Sequence, residues 1–150
     1  MLSLELLRNS EVFDGLSDDE LAPIAKMATE ASYQAGEEIF AENDEARYLY
    51  VVTEGRVQVL INVGRGRQVV VDTVTRDGSF GWSALVPPYF YTGGAKCSEP
   101  TRVVAIPGDE LRALCMDNCR ICHTIMERLA SIISARLKDT RLQLISLMYG

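Results

Sequence analysis

The sequence predicts a mainly β domain, an antiparallel sandwich or barrel flanked by helices, and three observations carry that expectation. Short runs rich in β-branched and aromatic residues recur at near-regular spacing: Glu38–Phe40, Tyr48–Val52, Val57–Ile61, Val69–Val71 and Val103–Ile106. Between them fall Ala35-Gly36, Asn43-Asp44, Glu54-Gly55, Gly64-Arg65-Gly66 and Asp77-Gly78, pairings that supply the positive φ or side-chain turn bonding of a tight reversal. Before and after this stretch the apolar period becomes helical. With 150 residues, 47% of them apolar, the chain can bury one core without metal or disulfide support, so residues 1–150 are expected to form a single domain.

The first clear helix opens at Ser17, which can cap the free N–H groups while Glu20 completes a capping box, and is expected to run to about Glu30. The strands follow. Pro107-Gly108-Asp109-Glu110 leaves the last of them, and Asp109 can open a short helix through about Cys115. A second helix begins near Asn118, a good N-cap residue, and continues to about residue 147. Along it Met126, Ala130, Ile133, Leu137, Thr140, Leu144 and Leu147 repeat at alternating spacings of four and three, a coiled-coil-like seam with Thr140 its one polar member. A homodimer through this helix is the simplest arrangement that buries the seam.

Bulk charge narrows the functional classes. A net charge of −6 opposes a surface that works by neutralising phosphates, so nucleic acid is not expected as a partner. No apolar run approaches the roughly 20 residues that span a bilayer, and Met1–Arg8 lacks the pattern of a signal peptide, so no membrane association and a cytoplasmic location are expected. No nucleophile, base and orienting group converge in the sequence, which argues for a non-enzymatic role.

Particular residues in this arrangement resemble the cyclic nucleotide-binding domain of the catabolite-activator and FNR type. Leu7–Leu16 is similar to the opening segment of that family, Tyr33–Phe40 to its first strand pair, Tyr48–Val59 to its central hairpin, and Glu99–Pro107 to the strand that closes its roll. The resemblance implies a cupin-like antiparallel β-roll over about 31–107, with the long helix of about 118–147 lying against a ligand pocket. Where the family usually has Gly after an acidic residue, Glu42 is followed by Asn43, which tolerates the left-handed conformation next best. The sequence carries no helix-turn-helix after the long helix, so the expected role is that of a stand-alone regulatory sensor with no DNA-binding domain. Its output would pass through the C-terminal helix, the dimer and a downstream protein.

Asp77-Gly78-Ser79-Phe80-Gly81-Trp82-Ser83-Ala84-Leu85, followed by Tyr91-Thr92, is similar to the family's phosphate-binding cassette. The resemblance implies ligand-binding roles for Phe80, Gly81, Trp82, Ser83, Ala84, Tyr91, Thr92 and, on the long helix, Thr140. Two charges are missing. Trp82 stands where the family has the Glu that takes the ribose hydroxyl, and Tyr91 where it has the Arg that pairs with the cyclic phosphate. Charge-assisted hydrogen bonds contribute roughly 1.5–3 kcal/mol each, so the loss of both weakens a cyclic nucleotide by roughly two to four powers of ten. The expected ligand is therefore cAMP or cGMP bound weakly, or another small anion held by the N–H groups that open the cassette helix, the Ser83 hydroxyl, the Tyr91 phenol and Thr92; a pocket remodelled for an apolar ligand is a further reading. A ligand-free dimerisation module, its roll filled by Phe80, Trp82, Tyr89, Phe90 and Tyr91, is an alternative. Lys96 could replace the absent Arg only if a bulge at Gly93-Gly94 reversed the strand parity that points it away from Tyr91.

Cys115, Cys119, Cys122 and His123 form the other cluster, with the Cys-x-x-Cys-His pattern of covalent haem attachment. That attachment belongs to export pathways, which the sequence start does not suggest. As a zinc or iron–sulfur site the four residues define a second alternative, a thiol or metal sensor, with Cys119 near a helix start as the reactive thiol. The break expected at Asp117-Asn118 opposes the alignment such a site needs, and small buried residues at a helix junction account for the cluster equally well.

Overall fold

The computed structural model describes residues 2–149. Two short helices, α1 (Leu4–Arg8) and α2 (Asp18–Met27), lead into eight strands: β1 (Thr29–Tyr33), β2 (Glu38–Phe40), β3 (Tyr48–Glu54), β4 (Val57–Asn62), β5 (Gln68–Val74), β6 (Ser79–Phe80), β7 (Gly94–Cys97) and β8 (Thr101–Pro107). Helices α3 (Gly108–Asp117) and α4 (Cys119–Tyr149) complete the chain. The strands form two four-stranded antiparallel sheets, ordered β1-β8-β3-β6 and β2-β7-β4-β5. This is the antiparallel β-roll with a long C-terminal helix that the sequence predicts.

Strands β3 and β8 read as continuous apolar runs because both their faces are buried. Leu49, Val51, Val104 and Ile106 point outward under the helices, against Phe13, Ile24, Leu111 and Ile125. The alternate residues Tyr50, Val52, Val103 and Ala105 point into the roll, with Phe40, Phe80 and Tyr91. The outer cluster fastens the helices to the sheet, and the inner one sets the floor of the roll. Truncating Ile106, which is fully buried, to Ala would cost about 2–5 kcal/mol.

The helix signals of the sequence translate into observed caps. Ser17 and Glu20 form the reciprocal capping box of α2, and Asn118 Oδ1 accepts the Ile121 N–H at 3.1 Å to open α4. The expectation that the first helix runs to Glu30 is corrected: Ala28 turns extended, and Thr29 and Glu30 already pair with Ala105 and Val104 in β1. Sheet pairing outweighs helical periodicity there. The short helix after β8 extends from Gly108 to Asp117, slightly beyond the Asp109–Cys115 expected. Asn43 adopts φ +73°, the left-handed turn that its side chain tolerates.

Helix α4 buries Ile121, Ile125, Leu129 and Ile132 at spacings of four, four and three on its own domain. The seam residues occupy the neighbouring face, where Met126 and Ile133 are partly covered and Leu137, Leu144 and Leu147 are exposed. Three arginines tie the first two-thirds of α4 to the N-terminal segment. Arg120 pairs with Glu20 at 2.9 Å, Arg128 donates to the Glu11 carbonyl at 3.2 Å, and Arg136 reaches the Glu11 carboxylate at 3.0 Å. Among the described residues, no helix is long and apolar enough to cross a membrane.

Candidate functional site

The cassette begins where β6 pairs with β3. Glu11 Oε1 accepts both the N–H and the hydroxyl of the fully buried Ser79, at 2.8 and 3.0 Å, which anchors the cassette to the N-terminal segment. Phe80 lies flat on Tyr50, with ring centroids 5.0 Å apart. Gly81 then turns the chain with φ +76°; a Cβ there would meet the Tyr48 carbonyl at 3.1 Å and the Tyr50 ring at 3.2 Å. The left-handed turn and the close approach together require glycine. A 3-10 turn follows over Trp82–Leu85, and as its first members Trp82 and Ser83 have N–H groups with no acceptor inside the turn. Arg112 of α3 clasps the loop after it, stacking 4.1 Å from the centroid of the Tyr89 ring and donating to the Ala84 carbonyl.

Tyr91 returns the chain to the roll. Its ring stacks on Phe40 with centroids 3.6 Å apart, and its hydroxyl donates to the Tyr48 carbonyl at 2.6 Å while accepting the Tyr48 N–H at 3.2 Å. Burial pushes the phenol up to about 12, so it stays neutral at physiological pH. On the sequence alone this hydroxyl is among the groups expected to meet a ligand. In the structure it is spent on the end of β3, because a buried phenol must find partners and the Tyr48 backbone offers both a donor and an acceptor.

A cavity of about 830 Å³ lies beside the cassette, between the roll and α4. Phe40, Val59, Ile61 and Val70 supply its apolar wall from the strands. Gly81, Trp82, Ser83, Tyr91 and Thr92 reach it from the cassette, and Ile133, Leu137 and Thr140 from α4. Of the residues named from the sequence, Phe80 and Ala84 do not line it; they are buried beneath. Thr140 stands on the wall, but its hydroxyl donates back to the Arg136 carbonyl at 2.9 Å. Lys96 is exposed and outside the cavity. β7 runs in unbroken register with β4, and the irregularity on its other edge lies between Glu38 and Phe40 of β2 rather than at Gly93-Gly94.

The guanidinium in the cavity wall belongs to Arg136. Its Nε lies 3.3 Å from an Asp72 carboxylate oxygen, its Nη2 3.0 Å from Glu11, and its plane 4.7 Å from the centroid of the Trp82 ring. The side chain is 20% exposed, and Nη1 is buried without an oxygen partner. Trp82, standing where the family has Glu, thus offers an aromatic face to a cation. Sequence reasoning missed Arg136. Its one signal there is a charge set inside the apolar stretch Ile132-Ile133-Ser134-Ala135-Arg136-Leu137.

The cysteine set does not assemble. Cys115 is buried at the end of α3, and burial foremost, then Cys122, pushes its thiol up to about 12. Cys119 is exposed, and His123 points to Glu127, 3.1 Å away on its own helix. Among the described residues no three His, Cys, Asp or Glu side chains stand close enough together to hold a metal ion. Across the break at Asn118, Cys115 and Cys122 remain neighbours, while Cys119 and His123 turn to solvent.

The β-roll thus carries, between its cassette and the long helix, a mostly apolar cavity of the size that small-molecule sites have. The family model for the cyclic nucleotide-binding domain matches residues 30–118, and the chain belongs to that family. It is 24% identical over 145 residues to a CRP-like cAMP-activated global transcriptional regulator of Mycobacterium tuberculosis, covering 97% of this chain and 63% of that protein. The chain therefore spans somewhat under two thirds of the length of that curated relative. Among solved structures, a chain from Geobacter metallireducens, provisionally described as a cyclic nucleotide-binding protein, is 35% identical, with a TM-score of 0.81 and coverage of 91% of this chain and 99% of that one. A cyclic nucleotide-binding domain from Methylobacillus flagellatus shares the fold at 17% identity, with a TM-score of 0.83 and coverage of 98% and 83%.

Proposed function

We propose that this domain is a non-enzymatic sensor whose cavity takes a small molecule and whose α4 passes occupancy to a second copy and, through the dimer, to a downstream protein. The observation that carries the reading is the position of the 830 Å³ cavity, walled by the cassette on one side and by Ile133, Leu137 and Thr140 of α4 on another. An occupant touches the roll and the helix at once, so its binding energy can bias where the helix lies. The same open space supports ligand binding over a roll filled by its own aromatic residues. DNA binding is not part of the proposed role of these residues, given their net charge of −6.

The family's ligand is a poor fit to this cavity. Trp82 and Tyr91 provide neither the ribose acceptor nor the phosphate cation, and the Tyr91 hydroxyl is committed to Tyr48. Adding cAMP or cGMP at about 10 µM should leave the melting temperature nearly unchanged, as a weakening of roughly two to four powers of ten requires. A clear upward shift at that concentration would show the charge argument to be wrong. The sensor reading itself is tested by mass spectrometry of protein purified natively and then denatured. A stoichiometric small molecule released from the cavity supports it. Protein that carries nothing, and that no member of a metabolite panel stabilises, counts against it.

A further inference from the structure

The cavity wall contains a cation whose bonding groups are already engaged or buried. Arg136 has Nε on Asp72 and Nη2 on Glu11, its face is covered by Trp82, and Nη1 is buried where a water-sized molecule does not reach it. Among the described lining residues it is the one Lys or Arg, while Asp72 and Asp139 both face the same space. Glu11 lies directly behind the guanidinium. Carboxylates thus outnumber the positive charge, which opposes the entry of phosphate or carboxylate against the pull of the Trp82 and Ser83 N–H groups.

The rest of the wall is apolar. Phe40, Val59, Ile61 and Val70 face Ile133 and Leu137 across it, with the rings of Trp82 and Tyr91 at the cassette end. Ser83, Thr92 and Gln143 supply scattered neutral polar groups that can orient a ligand without demanding a charge. We propose that this cavity takes an uncharged, largely apolar small molecule, and that Asp72, Glu11 and Asp139 set this preference by engaging Arg136 and repelling anions. The proposal rests on the sensor reading above and supplies its ligand class. It gives Trp82 a role beyond space filling, as an aromatic cover on one face of the Arg136 guanidinium.

Two dyes isolate charge from shape. N-phenyl-1-naphthylamine is uncharged, and 8-anilino-1-naphthalenesulfonate carries the same rings with one sulfonate. Trp82 is the only tryptophan of the chain and lines the cavity, so energy transfer from it reports a dye seated there. The uncharged dye should bind about tenfold more tightly than the sulfonate, the discrimination that one unit charge brings at several ångströms in a partly screened site. Asp72→Asn, and independently Asp139→Asn on the exposed helix face, should narrow that ratio by improving the sulfonate several-fold. Equal or tighter binding of the sulfonate to the native chain, or displacement of the uncharged dye by micromolar cAMP, overturns the ligand class and leaves the sensor reading standing. Trp82 emission unmoved by both dyes to about 100 µM overturns the ligand class and removes the support the cavity lends to sensing.

Discussion

Tyr91 shows how one side chain at a ligand position can become structural. Its hydroxyl closes both backbone groups of Tyr48, and its ring seals the roll against Phe40. Tyr91→Phe should keep the stack but leave the Tyr48 N–H and carbonyl unsatisfied, at a cost of about 1–3 kcal/mol, measured as a lower urea midpoint with unchanged slope. A variant as stable as the native protein would show that the hydroxyl is free for another role. The identities of Trp82 and Tyr91 were legible as departures from a cassette, because both lie within a few residues of Gly81. Arg136 was not legible in the same way. Its partners, Glu11 and Asp72, are 125 and 64 positions away, and no local pattern announces a convergence that only the closed roll creates. Lys96, the near neighbour in sequence, stays outside the cavity, and the cation in its wall comes from a distant helix already paired with carboxylates.

Elements with strong local chemistry were readable. The capping box of α2, the Asn118 cap of α4 and the apolar strands β3, β4 and β8 follow from residues within a few positions of each other. Strands β1, β6 and β7 gave little signal. Thr29–Tyr33 is half exposed, Ser79–Phe80 is two residues long, and Gly94–Cys97, with Gly94, Ala95, Cys97 and an exposed Lys96, is a short strand paired between β2 and β4. Each is a strand because a stronger neighbour offers it backbone partners. At the junction of α3 and α4 the same break that lets Asn118 cap α4 divides the cysteines by exposure. Iodoacetamide should therefore modify Cys119 quickly, and Cys97 and Cys115 only on unfolding, as peptide mapping of timed reactions will show. Burial also raises both protected thiols, so little thiolate forms while they remain buried. Labelling of Cys115 as fast as Cys119 would mean that the junction is open in solution and would revive the thiol-sensor alternative.

At the scale of the molecule, α4 does two jobs on two stretches. As far as Ile132 it is fastened by a buried stripe, and Arg120, Arg128 and Arg136 tie it to the segment that carries Glu11, which in turn holds Ser79 of the cassette. Beyond Arg136 the helix continues with Leu137, Leu144 and Leu147 exposed at 47%, 57% and 85%, along with Leu142, Ile145 and Met148. A helical end of that length is marginal alone in water, and its apolar side chains gain about 25 cal/mol for each Å² that a partner covers. A second copy presenting the same seam satisfies both needs by symmetry. The native protein should sediment as a dimer at micromolar concentration. The double substitution Leu144→Lys and Leu147→Lys should sediment as a monomer and lose part of its helical circular dichroism, with the roll still folded by Trp82 emission. A native protein that sediments at monomer mass, or a variant that remains dimeric, would place the contact elsewhere. The exposed valines of β5, Val69 and Val70, would then be the next apolar face to substitute.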